Sequence, residues 1–411
     1  MEIKTKLENR FSTLDKLFKD YIESGKYPCI VAGVYHKENL VFSQKYGFAS
    51  VERKIDISFE SIFRIASLSK AITCVGALLL IDKGLLNLND KLSKFFPKAS
   101  NLKVFINEDQ GQLVVEDLKK EITILDLFTH TSGFIYPEDL DHPIDKLYDK
   151  FFGPFYINIM QMTNEEIMDK LLDLPLKQQP GTKYNYSFST DVLGFVIEKI
   201  TGINLEEYLH NELFIKLHMP DTYFNLPETK RGRLVTQYHI NDKGMLVPLD
   251  QRYQVIGNMP VKFLSGGGGL LSTFSDYLNF SLFLLNKGLV REDQLISEPL
   301  LELMATDQMT PRNLSSFSEI AIRKSNFSEN YKKSLIAYRK GTNYGIGVQV
   351  KIMAEGKIPK GVFGWVGVTT TNFFVDRENE IIGIFLSQYD GLFDYPIFAE
   401  FIKTAYNCFE N

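Results

Sequence analysis

The feature that most constrains this chain is an apolar stretch, residues 71–81, that directly follows Ser67 and Lys70. A helix that is apolar on all sides is buried inside a protein. This stretch is also too short to span a membrane, which requires roughly 20 such residues. The sequence therefore predicts a buried helix with Ser67 and Lys70 in its first turn, where side chains three residues apart share one face.

This predicted helix start favours an activated serine. Burying the ammonium group of Lys70 is costly unless the group is paired or gives up its proton. The hydroxyl of Ser67 would lie beside free backbone N–H groups and the positive end of the helix dipole. The alternative is a capping serine with a lysine whose charged end reaches solvent. The same spacing recurs at Ser100 and Lys103, but in a polar stretch with no apolar helix behind it, and we interpret that copy as coincidental.

The composition predicts an ordinary globular protein. Of the 411 residues, 44% are hydrophobic, and the net charge of -5 gives no reason to expect nucleic acid or a membrane surface as a partner. Residues 1–10 lack the apolar core and cleavage site of a secretory signal, so a cytoplasmic location is expected. The three widely spaced cysteines fit a reducing compartment; they are Cys29, Cys74 and Cys408.

The order of the predicted elements indicates an α/β (α+β) fold with one antiparallel sheet built from both chain ends. Strand-like segments occupy residues 30–35, 40–46, 344–350, 362–368, 372–375 and 381–387. Helix caps are predicted at Thr123, Thr163, Asn204 and Thr273. We expect a discontinuous α/β domain of residues 1–90 and 255–411, a mostly helical domain of residues 91–254, and an active-site cleft between them.

Five motifs in a fixed order resemble those of the serine β-lactamase and penicillin-binding-protein superfamily. They are Ser67-Leu68-Ser69-Lys70, the segment 127–133, the segment from Pro180-Gly181-Thr182 through Tyr186-Ser187 to Asp191, the glycine run 266–269, and Gly364-Trp365-Val366-Gly367. The chain is most similar to the family VIII carboxylesterases, which share the class C β-lactamase fold. The resemblance covers roughly residues 25–405 and implies a β-lactamase/transpeptidase-like fold.

The resemblance also implies roles for individual residues. Ser67 would be the nucleophile, Lys70 its base partner, and Tyr186 a second base or proton shuttle. The backbone N–H groups of Ser67 and Val368 would form the oxyanion hole, and Gly367 would let its strand approach the substrate closely. No cofactor and no metal are needed, and the six histidines lack ligand spacing.

Two departures from the motifs predict the substrate. Relatives that recognise penicillin have Tyr-x-Asn at the second motif, whereas this chain has Phe188 in place of the asparagine. The third motif of those relatives begins with Lys or His, whereas this chain has Trp365, a flat apolar side chain with a single donor. Both changes favour neutral, apolar acyl esters. Other Tyr-x-Asn copies, at Tyr156, Tyr223 and Tyr277, lack the flanking Pro-Gly loop and helix.

The sequence thus predicts a serine carboxylesterase that acts on small neutral esters through an acyl-enzyme. Two alternatives stay open. One is a β-lactamase, D-amino-acid peptidase or acyltransferase of the same fold, and the other is a non-catalytic binding protein that keeps the pocket. The sequence does not determine the oligomeric state, the acyl preference or the base for deacylation.

Overall fold

The computed structural model describes residues 10–152, 159–250, 255–314 and 328–409. Its helices α1 to α11 are, in chain order, Ser12–Glu23, Ser69–Asp82, Ile124–Phe128, Pro143–Phe152, Asn164–Leu172, Ser189–Thr201, Leu205–Leu209, Phe274–Leu285, Glu298–Met304, Glu329–Arg339 and Ile397–Asn407. Its strands β1 to β16 are Cys29–His36, Asn39–Ser50, Ile55–Asp56, Phe63–Arg64, Lys103–Asp109, Gln112–Asp117, Tyr238–Ile240, Leu246–Pro248, Leu271–Ser272, Leu289–Val290, Asp293–Gln294, Thr342–Tyr344, Gln349–Lys351, Phe363–Gly367, Thr371–Asp376 and Ile381–Leu386.

The central element is an eight-stranded sheet with the order β12-β13-β14-β15-β16-β1-β2-β3. Every neighbouring pair in it is antiparallel. Strand β1 from the start of the chain pairs with β16 from its end, with Val31 opposite Leu386. The predicted fold class, an antiparallel sheet built from both chain ends and flanked by helices, is therefore confirmed.

Alternating side chains of the sheet supply two separate cores. On one face, Phe385 packs with Phe18 of α1 and Phe401 of α11, with ring centroids 5.7 Å apart for Phe18–Phe385 and 6.1 Å apart for Phe385–Phe401. On the other face, the neighbouring residues Ile384 and Leu386 belong to a larger core that includes α2. The second face is the one that supports the nucleophile helix.

The buried helix predicted after Ser67 is confirmed as α2, in which twelve residues are buried. Ser67 was expected in the first turn of this helix. It instead precedes the helix and belongs to a 3-10 turn, Ala66–Leu68. The capping boxes at Thr123 and Thr163 are also confirmed, each with both reciprocal hydrogen bonds. Within the described ranges, no helix combines the length and the apolarity that crossing a bilayer requires. Residues 1–9, on which the prediction of no secretory signal depends, lie outside those ranges.

Candidate active site

Ser67 is presented by a strained turn. Ala66, just before it, has a φ of 46°, a left-handed conformation that is unfavourable for a residue with a Cβ. Two hydrogen bonds hold the turn: the Ser69 hydroxyl donates to the Ala66 carbonyl at 2.6 Å and accepts from the Leu270 N–H at 3.1 Å. The turn therefore fixes a half-buried Ser67 at the start of α2.

Three side chains converge at this turn. The Tyr186 hydroxyl donates to Ser67 Oγ at 2.6 Å. Lys70 Nζ lies 3.4 Å from the same oxygen and donates to the Gly267 carbonyl at 2.5 Å. The structure thus brings together the three residues for which the sequence predicted catalytic roles, although Tyr186 is 119 positions from Ser67.

Lys70 is fully buried and has no carboxylate partner among the described residues. Its Nζ instead lies 4.5 Å from the ring centroid of Tyr186 and 5.3 Å from that of Tyr136. Such ring faces attract a cation, and the Gly267 carbonyl accepts one of its hydrogens. The amine is thus held beside Ser67 without an ion pair to any carboxylate of the described residues.

Asp191 supports the residues around Lys70 through hydrogen bonds, a role that the sequence analysis did not assign. Its carboxylate is 1% exposed and accepts hydrogen bonds from the Tyr136 hydroxyl (2.7 Å), the Ser265 hydroxyl (2.5 Å) and the Gly267 N–H (3.0 Å). Asp191 thus anchors Gly267 through its N–H, and the carbonyl of the same residue accepts from Lys70. The signal that could have revealed it is an acidic residue in the first turn of α6, directly before the apolar run 192–197.

His130 supports Tyr186 without adding charge. The two rings lie 4.9 Å apart, and His130 Nδ1 is 3.1 Å from the Ser187 hydroxyl. Burial, assisted by the positive charge of Lys70, holds the pKa of His130 well below its usual value. The imidazole is therefore neutral at physiological pH and acts as a rigid support for the Tyr186 ring.

Trp365 does not lie where the sequence analysis expected it. It is 2% exposed, its ring centroid is 5.8 Å from that of Tyr186 and 5.3 Å from that of Tyr344, and it does not line the cleft that contains Ser67. The alternation of side chains along β14 turns Trp365 into the core behind Tyr186. The structure thus places it as a support for Tyr186 rather than as an apolar wall for the substrate.

Phe188 does line the cleft, which has a volume of about 400 Å³. Its ring centroid lies 4.6 Å from that of Tyr136 and 4.9 Å from that of Phe152, and only 2% of the residue is exposed. Val368 also lines the cleft and is 46% exposed. Both residues contribute apolar surface to the cleft that contains Ser67.

Gly367 lets β14 approach the nucleophile turn. A Cβ built on Gly367 would lie 2.6 Å from the Ile65 carbonyl oxygen and 3.2 Å from the Ala66 Cβ, and its shortest distance, 2.2 Å, would be to Thr371 Oγ1. The sequence predicted a close approach of this strand to the substrate, and the structure shows a close approach to the turn that carries Ser67. It brings the following residue, Val368, to the cleft.

Gly367→Ala is expected to reduce any turnover at Ser67 by about 10²-fold, because displacement of reacting groups by about 1 Å has an effect of that size. The added methyl group would push the Val368 N–H away from Ser67. Steady-state kinetics beside a thermal melt would separate misplacement from unfolding. Val368→Ala is the matched control, because it keeps the backbone N–H and is expected to keep most of the activity. A greater loss in Val368→Ala than in Gly367→Ala would contradict a backbone donor.

The other candidate residues lie away from this site or serve other contacts. The Ser100 hydroxyl donates to the Pro97 carbonyl, and Lys103 pairs with Asp117 at the surface. Of the other tyrosines followed two residues later by asparagine, Tyr277 donates to the Leu68 carbonyl at 3.2 Å. Tyr223 donates to the Pro220 carbonyl and accepts from Lys230. Tyr156 falls outside the described residues.

A serine joined to a tyrosine and a lysine at a cleft beside an antiparallel sheet is the site of a serine hydrolase. A family model described as Beta-lactamase matches residues 14–402, and the chain belongs to this family. The chain is 26% identical over 395 residues to the lovastatin esterase of Penicillium rubens, which covers 90% of this chain and 91% of that protein.

Two solved structures share the fold over nearly the whole chain. One is the simvastatin synthase LovD from Aspergillus terreus, with a TM-score of 0.80, 21% sequence identity and 97% coverage of both chains. The other is EstCE1, described as a hydrolase with promiscuous acyltransferase activity, with a TM-score of 0.75, 19% identity, and coverage of 99% of this chain and 100% of that one. At these identities the likeness establishes the fold alone.

Proposed function

We propose that this protein is a serine esterase that hydrolyses small acyl esters through a covalent acyl-enzyme. The observation that carries the proposal is the hydrogen bond of 2.6 Å from the Tyr186 hydroxyl to Ser67 Oγ, with Lys70 Nζ 3.4 Å from the same oxygen. A serine hydroxyl is a weak nucleophile until a neighbouring base takes its proton. We propose that Tyr186 and Lys70 together take this proton.

In the acylation step, Ser67 Oγ attacks the ester carbonyl carbon while its proton passes to the Tyr186–Lys70 pair. The N–H groups of Ser67 and Val368 are proposed to stabilise the oxyanion of the tetrahedral intermediate. The C–O bond to the alcohol then breaks, and the departing alkoxide receives the proton back from the pair. In the deacylation step, water gives a proton to the same pair, attacks the acyl carbon and releases the acid with Ser67 restored.

Acyl transfer to an organic alcohol is the second candidate. The acyl-enzyme reacts with an alcohol by the same steps as with water, so the outcome depends on which acceptor occupies the cleft. The walls beside Ser67 favour an organic acceptor because several of them are apolar; they include Phe188, Val255, Phe263 and Val368. The names of the lovastatin esterase and of EstCE1 associate both outcomes with this fold.

The test is a reaction of the wild-type protein with 4-nitrophenyl butyrate, followed by intact-mass analysis and peptide mapping. We expect an acyl adduct on Ser67 and release of butyrate.

Adding 1-butanol distinguishes hydrolysis from acyl transfer, since formation of butyl butyrate in excess of butyrate would make acyl transfer the main reaction. Faster acylation by a cephalosporin or a D-Ala-D-Ala peptide than by any ester would favour the β-lactamase or peptidase alternative. If Ser67 carried no adduct after treatment with the ester or a fluorophosphonate, the site would be a non-catalytic pocket.

A further inference from the structure

Arg64 is a buried cation in the wall of the same cleft. It ends strand β4, three residues before Ser67, and it is 5% exposed. Its Nε donates to the Ile256 carbonyl and its Nη1 to the Val235 carbonyl, each at 2.9 Å. These two bonds fix the plane of the guanidinium, while Arg64 remains among the residues that line the cleft with Ser67 and Lys70.

One end of this guanidinium has no partner. Among the described residues, no carboxylate lies within ion-pair distance of Arg64, and its Nη2 makes no hydrogen bond. Burying a charge is costly unless the charge is paired. Burial lowers the pKa of Arg64 to about 10, so the group still carries its charge at neutral pH. An arginine with five donors and no acceptor is therefore held in a fixed position with donors left over.

The other charged groups of the cleft do not neutralise Arg64. The other basic residue of the lining, Lys70, cannot offset a positive charge. The two acidic residues of the lining, Glu138 and Asp390, are both exposed. The lining therefore has no buried carboxylate that could offset the charge of Arg64. This arrangement favours a ligand that is anionic where it reaches Arg64.

We propose that Arg64 binds a carboxylate of the substrate, so that the preferred esters are acidic rather than neutral. This inference rests on the proposed esterase function and specifies its substrate class. A hydrogen bond between two charged groups is roughly twice as strong as one between neutral groups. The sequence-based expectation of neutral esters came from the lack of a cation at position 365. In the structure, the cation is Arg64 on β4, whereas the third motif of the relatives corresponds to β14.

The carboxylate could belong to the acyl group or to the alcohol, and the experiment separates the two. For the acyl side, the mono-4-nitrophenyl ester of glutaric acid is compared with the same ester whose free acid is methylated. For the alcohol side, 4-acetoxybutanoate is compared with its primary amide. In the wild-type protein we expect kcat/KM for the acid to exceed that for its neutral counterpart by about 10- to 100-fold in at least one pair, which is the factor that a hydrogen bond to a charged group supplies.

Variants of Arg64 test whether this residue causes the preference for acidic esters. In Arg64→Gln the ratio of acid to neutral kcat/KM is expected to fall towards one, and Arg64→Lys is expected to retain part of it because the charge remains. The ratio of the two kcat/KM values is taken within each protein, so a general loss of active enzyme does not change it. The wild-type ratio is itself decisive if the variants do not fold.

Equal or higher kcat/KM for the neutral ester in both wild-type pairs would overturn the inference, and so would an unchanged ratio in a folded Arg64→Gln protein. If the neutral esters still acylate Ser67 in either case, the proposed esterase function stands. If no ester acylates Ser67, calorimetric binding of glutarate and of glutaramide to the wild-type protein provides the separate readout. Tighter binding of glutarate would then support a carboxylate site at Arg64, and equal binding would overturn it.

Discussion

Ser67→Ala is expected to reduce the hydrolysis of 4-nitrophenyl butyrate by about 10⁴-fold or more, because loss of a catalytic serine nucleophile in other enzymes has effects of that size. The physical reason is that the acyl-enzyme cannot form without Oγ. Water held by Tyr186 and Lys70 would have to attack the ester directly. Because the replaced side chain is small and half-buried, the fold is expected to remain intact. Initial rates, intact-mass analysis after ester treatment and a thermal melt together check the prediction.

The chain contains its own control for this experiment. Ser100 and Lys103 have the same spacing as Ser67 and Lys70, but Ser100 is exposed and Lys103 pairs with Asp117 at the surface. Ser100→Ala is expected to keep the wild-type rate and the Ser67 adduct. A Ser67→Ala protein that still hydrolysed the ester at the wild-type rate would eliminate the proposed mechanism, whatever the Ser100 variant did.

Lys70→Met is expected to lower the rate of acylation by about 10²- to 10⁴-fold, which is the usual contribution of a positioned proton acceptor. Methionine keeps most of the length and volume of lysine, so the fully buried position stays filled. It removes the amine beside Ser67 Oγ and the donor to the Gly267 carbonyl. Stopped-flow measurement of nitrophenol release in the first turnover reports this step. Lys103→Met is the matched control, since it removes a lysine from the surface and is expected to leave acylation unchanged.

A double variant tests whether Lys70 and Tyr186 act as one proton-transfer unit. Tyr186→Phe removes the hydroxyl that lies 2.6 Å from Ser67 Oγ and leaves the ring against His130. If the two residues share one proton, the double variant is expected to be little slower than the slower single variant. Multiplication of the two single effects would instead indicate independent roles.

Local patterns in the sequence predicted much of the site. Ser67 and Lys70 were identified because a spacing of three residues at a helix start places both groups on one side. Tyr186 could not be derived in this way, because its contact with Ser67 joins two distant segments; only the resemblance to a known motif identified it. Helix α10, Glu329–Arg339, was not predicted, since its mean composition is polar and few of its residues are buried.

The substrate preference shows where sequence-based reasoning reached its limit. Trp365 was interpreted as an apolar wall of the cleft because it stands where the third motif of the relatives has Lys or His. Strand pairing places it opposite Phe373 in the sheet and turns its ring behind Tyr186. Arg64 was not singled out, because an arginine in an apolar segment has no distinctive pattern. Only its burial, its two carbonyl acceptors and the lack of an acidic partner among the described residues reveal its chemistry.

The sequence by itself determined the buried helix, its serine and lysine, the helix caps and the fold class. These depend on side-chain periodicity and on hydrogen bonds between residues a few positions apart, which are local properties of a chain. The tertiary structure decided which distant groups meet at Ser67, which side chains face the cleft, and which charge lies within it. Those properties depend on strand register and on the burial of charges by remote segments, because the energy of a charge depends on every group packed around it.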